Sequence, residues 1–245
     1  MTSHRFGLSI APVLLALALC TLAPAQTPAP SPSAGPPPTT IPNDQNYGVH
    51  LGYHTEMQDY FQTIQGTPRD LIFIGDSITE QWRWGAGKPV WDKYYATRAI
   101  DFGLSSDTTQ NALWRLKNLP VQGFNLKAAV IMIGTNNVKD TPTDIAAGVK
   151  AVIDATMQKF PGIKVILVSI LPNARATDKM AATNRLIQNF ADNKSIFYLD
   201  LTSKFPLEGD NWKGLSRDKL HPSTDGFETW ATELNKLLPQ VIGGQ

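Results

Sequence analysis

A serine, a histidine and an aspartate stand in this chain at positions that could do acyl-transfer chemistry. Residues 75 to 80 read Gly75-Asp76-Ser77-Ile78-Thr79-Glu80, directly behind the apolar run Leu71-Ile72-Phe73-Ile74. The Ser77 hydroxyl therefore falls where a buried strand ends and the chain turns toward a helix. Such a hydroxyl is a weak nucleophile until a neutral imidazole takes its proton, and a carboxylate on the other ring nitrogen fixes the tautomer. Asp218-Lys219-Leu220-His221 offers both groups. Three residues of spacing let the Asp218 carboxylate meet the His221 ring in a tight turn, and Pro222 disfavours continuing helix at His221.

Each of these residues also has a plain structural reading. Ser77 with Glu80 fits a helix capping box, and His221 could be a hydrogen-bonded cap before the last helix. Two further polar blocks weigh on the choice: Gly103-Leu104-Ser105-Ser106-Asp107 and Gly134-Thr135-Asn136-Asn137. Attack on an ester creates a negative oxygen, and backbone amides around Ser77 and Ser106 with the Asn136 side-chain amide are suitable donors for it. Taken locally, Asn136 could instead tie its own loop together, and Ser105 and Ser106 could simply form a turn. Trp82 and Trp84 follow the serine turn, with Lys88 and Trp91 just beyond. The flat rings could line an acyl pocket or stack on a sugar, or they could pack the first helix. His50 and His54 have metal-compatible spacing without a strong third ligand, which favours solvated or packed histidines and no metal.

The elements that must position these groups are short, β-branched apolar runs separated by helical patterns, the mark of repeated βα units. Candidate strands are Leu71 to Ile74, Ala99 to Phe102, Ala128 to Ile133, Ile163 to Ile170 and Ser195 to Leu199. Runs such as Ala129-Val130-Ile131-Met132-Ile133 suit strands covered on both faces. Thr141-Pro142-Thr143-Asp144 has the chemistry of a helix start, and Ile145, Val149, Val152, Thr156 and Phe160 trace one face before Pro161-Gly162 stops it. Further helices are expected over Thr108 to Leu119, Thr177 to Phe190 and Thr224 to Leu238. The sum is a three-layer α/β/α sandwich with about five parallel strands. Ligand sites in such folds lie beyond the carboxyl ends of the strands, where all three polar blocks fall.

His4 and Arg5 lead into an apolar stretch ending near Cys20, and Ala23-Pro24-Ala25 supplies a small-residue cleavage site. Residues 1–25 read as a secretory signal peptide cut after Ala25, which implies a secreted or periplasmic protein with no stable membrane span in its mature form. The apolar stretch is short for a retained membrane helix, and Leu19 disfavours lipoprotein anchoring at Cys20. Residues 26–42 are dominated by Pro, Ser, Thr and Ala and read as an extended or disordered leader, leaving residues 43–245 as one domain. The chain carries 22 Lys plus Arg against 21 Asp plus Glu, which gives no electrostatic case for nucleic acid or anionic lipid. Nothing in the sequence specifies an oligomeric state.

Four blocks in order, Gly75-Asp76-Ser77-Ile78-Thr79, Gly103-Leu104-Ser105-Ser106-Asp107-Thr108-Thr109, Gly134-Thr135-Asn136-Asn137 and Asp218-Lys219-Leu220-His221, closely resemble those of the SGNH, or GDSL-like, hydrolase superfamily. The resemblance covers about Tyr47 to Leu238 and is closest to the branch of platelet-activating-factor acetylhydrolase catalytic subunits. It implies a flavodoxin-like sandwich and a serine esterase working through an acyl-serine intermediate, with no metal or cofactor. By the same resemblance Ser77 is the nucleophile, His221 the base and then acid, and Asp218 its orienter. Asn136 and the amides of Ser77 and Ser106 become oxyanion donors. Two positions depart from the usual pattern: Ser106 stands where glycine is common, and Asp101 where asparagine is frequent. A positive φ at Ser106 would bring strain that glycine avoids. The implied substrates are short-acyl esters, with an acetylated carbohydrate favoured over a short-chain lipid or aryl ester. A noncatalytic carbohydrate-binding protein on the same fold is the remaining alternative.

Overall fold

The computed structural model describes residues 1–2, 35–44, 51–209 and 211–243. The expected signal peptide from residue 3 onward, most of the proline-rich leader and His50 lie outside the described residues. Residues 35–243 belong to one packed unit.

Its centre is a parallel sheet of β1 (Leu71–Gly75), β2 (Ala99–Gly103), β3 (Ala128–Met132), β4 (Lys164–Val168) and β5 (Ile196–Leu199), in the order β2-β1-β3-β4-β5. Every strand expected from the apolar runs is present, and each starts or ends within two residues of expectation. Their side chains alternate between two helical layers, as the strand period requires. Ile72, Ile74, Ile100, Phe102, Ala129, Ile131, Val165 and Leu167 face one core. That core is closed by α1 (Leu51–Ile64), α4 (Thr109–Asn118), α5 (Pro142–Lys159) and α6 (Thr177–Ile187). Leu71, Phe73, Ala99, Val130, Ile166, Val168 and Phe197 face the other. There the cover is α2 (Ser77–Trp84), α3 (Lys88–Tyr94) and α7 (Thr224–Ile242). A two-stranded hairpin, β6 (Leu207–Glu208) with β7 (Asn211–Trp212), precedes α7. The architecture is the three-layer sandwich expected from the sequence.

The helix starts follow local chemistry. Thr141 caps α5 by accepting from the Asp144 amide at 3.2 Å, with Pro142 at the first helical position. Thr108 opens α4 through a capping box with Asn111. α7 runs past the expected end at Leu238 and through Pro239, because Leu238 and Val241 both bury against the second core. Pro38–Thr40, the end of the proline-rich stretch expected to stay outside the domain, forms a 3-10 turn. Buried Thr39 donates to the Asp144 carbonyl at 2.6 Å and accepts from Thr109 at 3.0 Å, so these residues pack on α4 and α5.

Two glycines set the geometry at the carboxyl edge. A Cβ on Gly75 would collide with the Thr79 side chain and the Met132 carbonyl, and one on Gly103 with the backbone of Thr79 and Glu80. Their absence lets the first turn of α2 settle against the ends of β1 and β2, which are paired in register from Leu71 with Ala99 to Gly75 with Gly103. Ser77 is thereby fixed at the rim of the sheet.

Candidate active site

β1 ends at Gly75, and Asp76 supplies the cap of α2: its Oδ1 accepts from the Ile78 amide at 3.0 Å. The capping-box reading of Ser77 is therefore corrected by one residue. Ser77 is the first helical residue, so its hydroxyl is released from capping and its amide has no acceptor within the helix. Glu80 does not reach back to Ser77 but accepts from the Ser105 hydroxyl, joining α2 to the turn after β2.

The Ser77 Oγ lies 2.8 Å from His221 Nε2, and His221 Nδ1 lies 2.6 Å from Asp218 Oδ2. A carboxylate oxygen can only accept, so Nδ1 carries the proton and Nε2 presents its lone pair to the serine. Asp218 Oδ1 also accepts from the Leu220 and His221 amides at 3.0 and 3.1 Å, and Lys219 takes a left-handed φ of 54° to close this turn. Partial burial pushes the Asp218 carboxyl up, but hydrogen bonds from the His221 ring and from the His221 and Leu220 amides outweigh it and hold the group below its ordinary range. The turn is tied down by Ser216 N to His221 O at 2.7 Å and by the bridge between Leu215 and Pro222.

The turn after β2 places Ser106 at a φ of 66°, the left-handed backbone that glycine would adopt without strain. Asn136 follows Gly134 after β3, and its Nδ2 donates to the Asp107 carbonyl at 2.9 Å, bringing the second and third blocks together. The loop itself is tied by the neighbouring Asn137, whose buried amide accepts from Thr109 N and donates to Gln110 and Asp140. Asn137 thus ties the loop itself, while Asn136 joins it to the turn after β2.

Sequence reasoning missed the residue that braces these turns from below. Arg115 of α4 is 1% exposed; it donates to Asp107 at 2.6 Å, to the Phe102 carbonyl at 2.9 Å and to the Gly75 carbonyl at 3.1 Å. Its available signal was a lone arginine on the Leu113 and Leu116 helix with Asp107 eight residues upstream. The floor is rich in buried carboxyls. Burial raises Asp76 to about 6, against the Ile78 amide, the Thr135 hydroxyl and the Arg175 charge. It raises Asp101 to about 7 against Arg83, and Asp107 to about 7 against Arg115.

The two tryptophans part company. Trp82 is wholly buried, edge-on to Phe73, Tyr95, Phe227 and Trp230, so the expectation that it contacts substrate is corrected: it is a core residue. Trp91 is likewise buried, and Lys88 pairs with Asp92 on the surface. Trp84 is 67% exposed and lines a cavity of about 660 Å³ with Tyr53, Glu56, Asp59, Tyr60, Thr63, Glu80 and Arg83. The Arg83 guanidinium lies over both the Tyr60 and Trp84 rings, at 3.8 and 4.5 Å from their centroids. Elsewhere His54 stacks on Trp114 at 4.7 Å. Among the described residues no group of three metal-ligating side chains converges, and no helix is long and apolar enough to cross a membrane.

A family model described as GDSL-like Lipase/Acylhydrolase matches residues 73–228, a span that includes Ser77, Ser106, Asn136, Asp218 and His221. Platelet-activating factor acetylhydrolase IB subunit alpha2 of Rattus norvegicus is 30% identical over 181 residues, 71% of this chain and 77% of that one. The same fold occurs in a GDSL-like lipase from Bacteroides thetaiotaomicron, with a TM-score of 0.64, 19% identity and coverage of 76% of this chain and 97% of that chain. A carbohydrate esterase family 3 structure from Talaromyces cellulolyticus matches with a TM-score of 0.55, 20% identity and coverage of 72% and 99%.

Proposed function

Given that the chain belongs to the GDSL-like lipase/acylhydrolase family and is a carboxylic ester hydrolase of that type, we propose that it removes acetyl or other short acyl groups, with Ser77 as nucleophile. His221 takes the Ser77 proton as Oγ attacks the ester carbonyl carbon, and Asp218 stabilises the imidazolium that forms. The amides of Ser77 and Ser106 and the Asn136 Nδ2 meet the oxyanion. Collapse breaks the bond to the alcohol oxygen, which leaves with the proton returned by His221. Water, deprotonated by the same imidazole, then attacks the acyl-serine; the acid departs and Ser77 regains its proton. The observation that carries this reading is the unbroken chain of 2.8 and 2.6 Å contacts from Ser77 through His221 to Asp218.

An acetylated carbohydrate is the favoured substrate. The cavity beside α2 offers the exposed Trp84 ring for stacking on a sugar and the carboxylates of Glu56 and Asp59 as hydroxyl acceptors. Glu80, about one turn along α2 from Ser77, also lines that cavity, which therefore borders the helix that carries the nucleophile. The name of the Talaromyces neighbour agrees with this reading. The name of the rat relative favours a second one, acetyl removal from a short-chain lipid ester.

A fluorophosphonate probe followed by intact-mass measurement tests the mechanism. One adduct per chain is expected on the wild type and none on S77A, whose turnover should fall by roughly 10⁴-fold or more with the fold intact. A folded protein with neither adduct nor turnover on any short-acyl ester would leave a binding protein instead. A panel of acetylated sugars, short-chain glycerides and aryl acetates separates the two substrate readings; activity confined to the latter two would reject carbohydrate.

A further inference from the structure

Leu171-Pro172-Asn173-Ala174-Arg175, the segment that follows β4, belongs to none of the four blocks, yet it touches both halves of the site. Arg175 Nη2 donates to Asn136 Oδ1 at 2.8 Å and to the Thr135 carbonyl at 3.0 Å. The preceding residue, Ala174, donates its amide at 3.0 Å to the carbonyl of Lys219, inside the Asp218 to His221 turn. The segment is built rather than loose. Asn173 is wholly buried, and its Oδ1 accepts from the Arg175 and Ala176 amides at 3.1 and 3.2 Å.

We propose that Arg175 is a positioning residue that fixes and polarises the Asn136 amide as an oxyanion donor. A side-chain amide can turn over, exchanging its oxygen and nitrogen, and would then present an acceptor to a developing negative charge. Guanidinium has donors only, so the atom facing Arg175 must be the oxygen. The Asp107 carbonyl is an acceptor only, so the atom facing it must be nitrogen. Both ends of Asn136 are thus specified, and its second Nδ2 hydrogen remains for the oxyanion. A cation on the amide oxygen also draws electron density from the nitrogen and strengthens that donor, as charge-assisted hydrogen bonds do. The effect belongs to the transition state, where the negative charge exists, and not to the bound ester.

The inference rests on the reading of Asn136 as an oxyanion donor, and a double-mutant cycle separates the two. In folded proteins turning over a soluble aryl acetate, R175A is expected to lower kcat roughly tenfold or more with KM within about twofold, and N136A to lower kcat by roughly 10²- to 10³-fold. In the N136A background, R175A should cost nothing further, because the group it acts through is gone. Added guanidinium ion should restore part of the R175A activity and none of the N136A activity. An R175A loss of equal size in both backgrounds, or one that falls on KM alone, overturns the positioning role while leaving Asn136 as donor. Wild-type turnover in N136A would overturn the donor assignment itself.

Discussion

Ser77 and His221 face each other across 2.8 Å but rest on different ground. The serine rises from Gly75 and Asp76, both wholly buried, over a floor in which the Arg115 guanidinium binds two strand-end carbonyls and Asp107. The histidine belongs to a surface turn, and the Asp218 carboxylate that orients it keeps 49% of its side-chain area exposed. One end of the catalytic chain is placed by the sheet, the other by a few local hydrogen bonds. The buried end couples chemistry to folding, because its charges are costly once their partners go. The exposed end can be altered with the fold left standing.

The sharpest test of this division lies at the exposed end. D218N keeps an acceptor for the Leu220 and His221 amides but removes the charge that selects the tautomer and stabilises imidazolium. It should lower kcat by about 10³- to 10⁴-fold. The melting midpoint should move by no more than about 2 °C, since the carboxylate is half in solvent. A large loss of stability would place Asp218 with the buried floor and erase the contrast.

The buried end should respond in the opposite currency. R115A leaves Asp107 as an unpaired buried carboxyl and strips a donor from the Gly75 and Phe102 carbonyls. The expected cost is about 3–5 kcal/mol in denaturant unfolding. A cost below about 1 kcal/mol would mean that the strand ends hold the turns without the arginine.

Asp101 refines the comparison through pH. Its Oδ1 accepts from Gly103 N at 2.9 Å, but Oδ2 is buried without a hydrogen bond, and Arg83 Nε lies 3.8 Å away. Burial raises this carboxyl from an ordinary 3.8 to about 7. The folded state therefore keeps a proton that the unfolded chain releases, and this group makes stability fall as pH rises from about 4 to about 7, with no further loss above that. D101N has no proton to release. It should match the wild type below about pH 4 and exceed it by roughly 2–3 kcal/mol near pH 8, as urea unfolding at both pH values would measure. A difference independent of pH would show that the asparagine acts through shape and not through charge.

Much of the site was legible because its signals are local. An apolar run followed by Gly-Asp-Ser marks a buried strand turning into a helix, and Asp218 with His221 fits within one turn. What escaped depended on contacts from elsewhere in the chain. Asp76 and Ser77 are both good caps, and the choice between them was made by where β1 ends against β2 and β3. Trp82 and Trp84 sit two residues apart on a helix of eight, too short for its period to separate them; Ile78 and Trp82 form the inward stripe, and Trp84 falls off it. α1 buries Met57, Phe61 and Ile64 at helical spacing, but these stand among so many polar residues that no apolar face announces itself. Arg115 reads as a surface charge until the fold closes over it.

The smallest predicted effect concerns Ser106, which takes a left-handed backbone in the turn after β2. At a φ of 66° a Cβ costs roughly 1 kcal/mol relative to glycine, partly offset because glycine loses more conformational freedom on folding. S106G should therefore stabilise the protein by about 0.5 kcal/mol. Ser106 is exposed, and the backbone amide proposed as an oxyanion donor is present with either residue. Turnover of a short-acyl ester should then stay within about twofold while the melting midpoint rises by a degree or two. A change in kcat of tenfold at constant KM would show instead that the serine tilts the amide, and that the loop after β2 trades stability for a particular donor geometry.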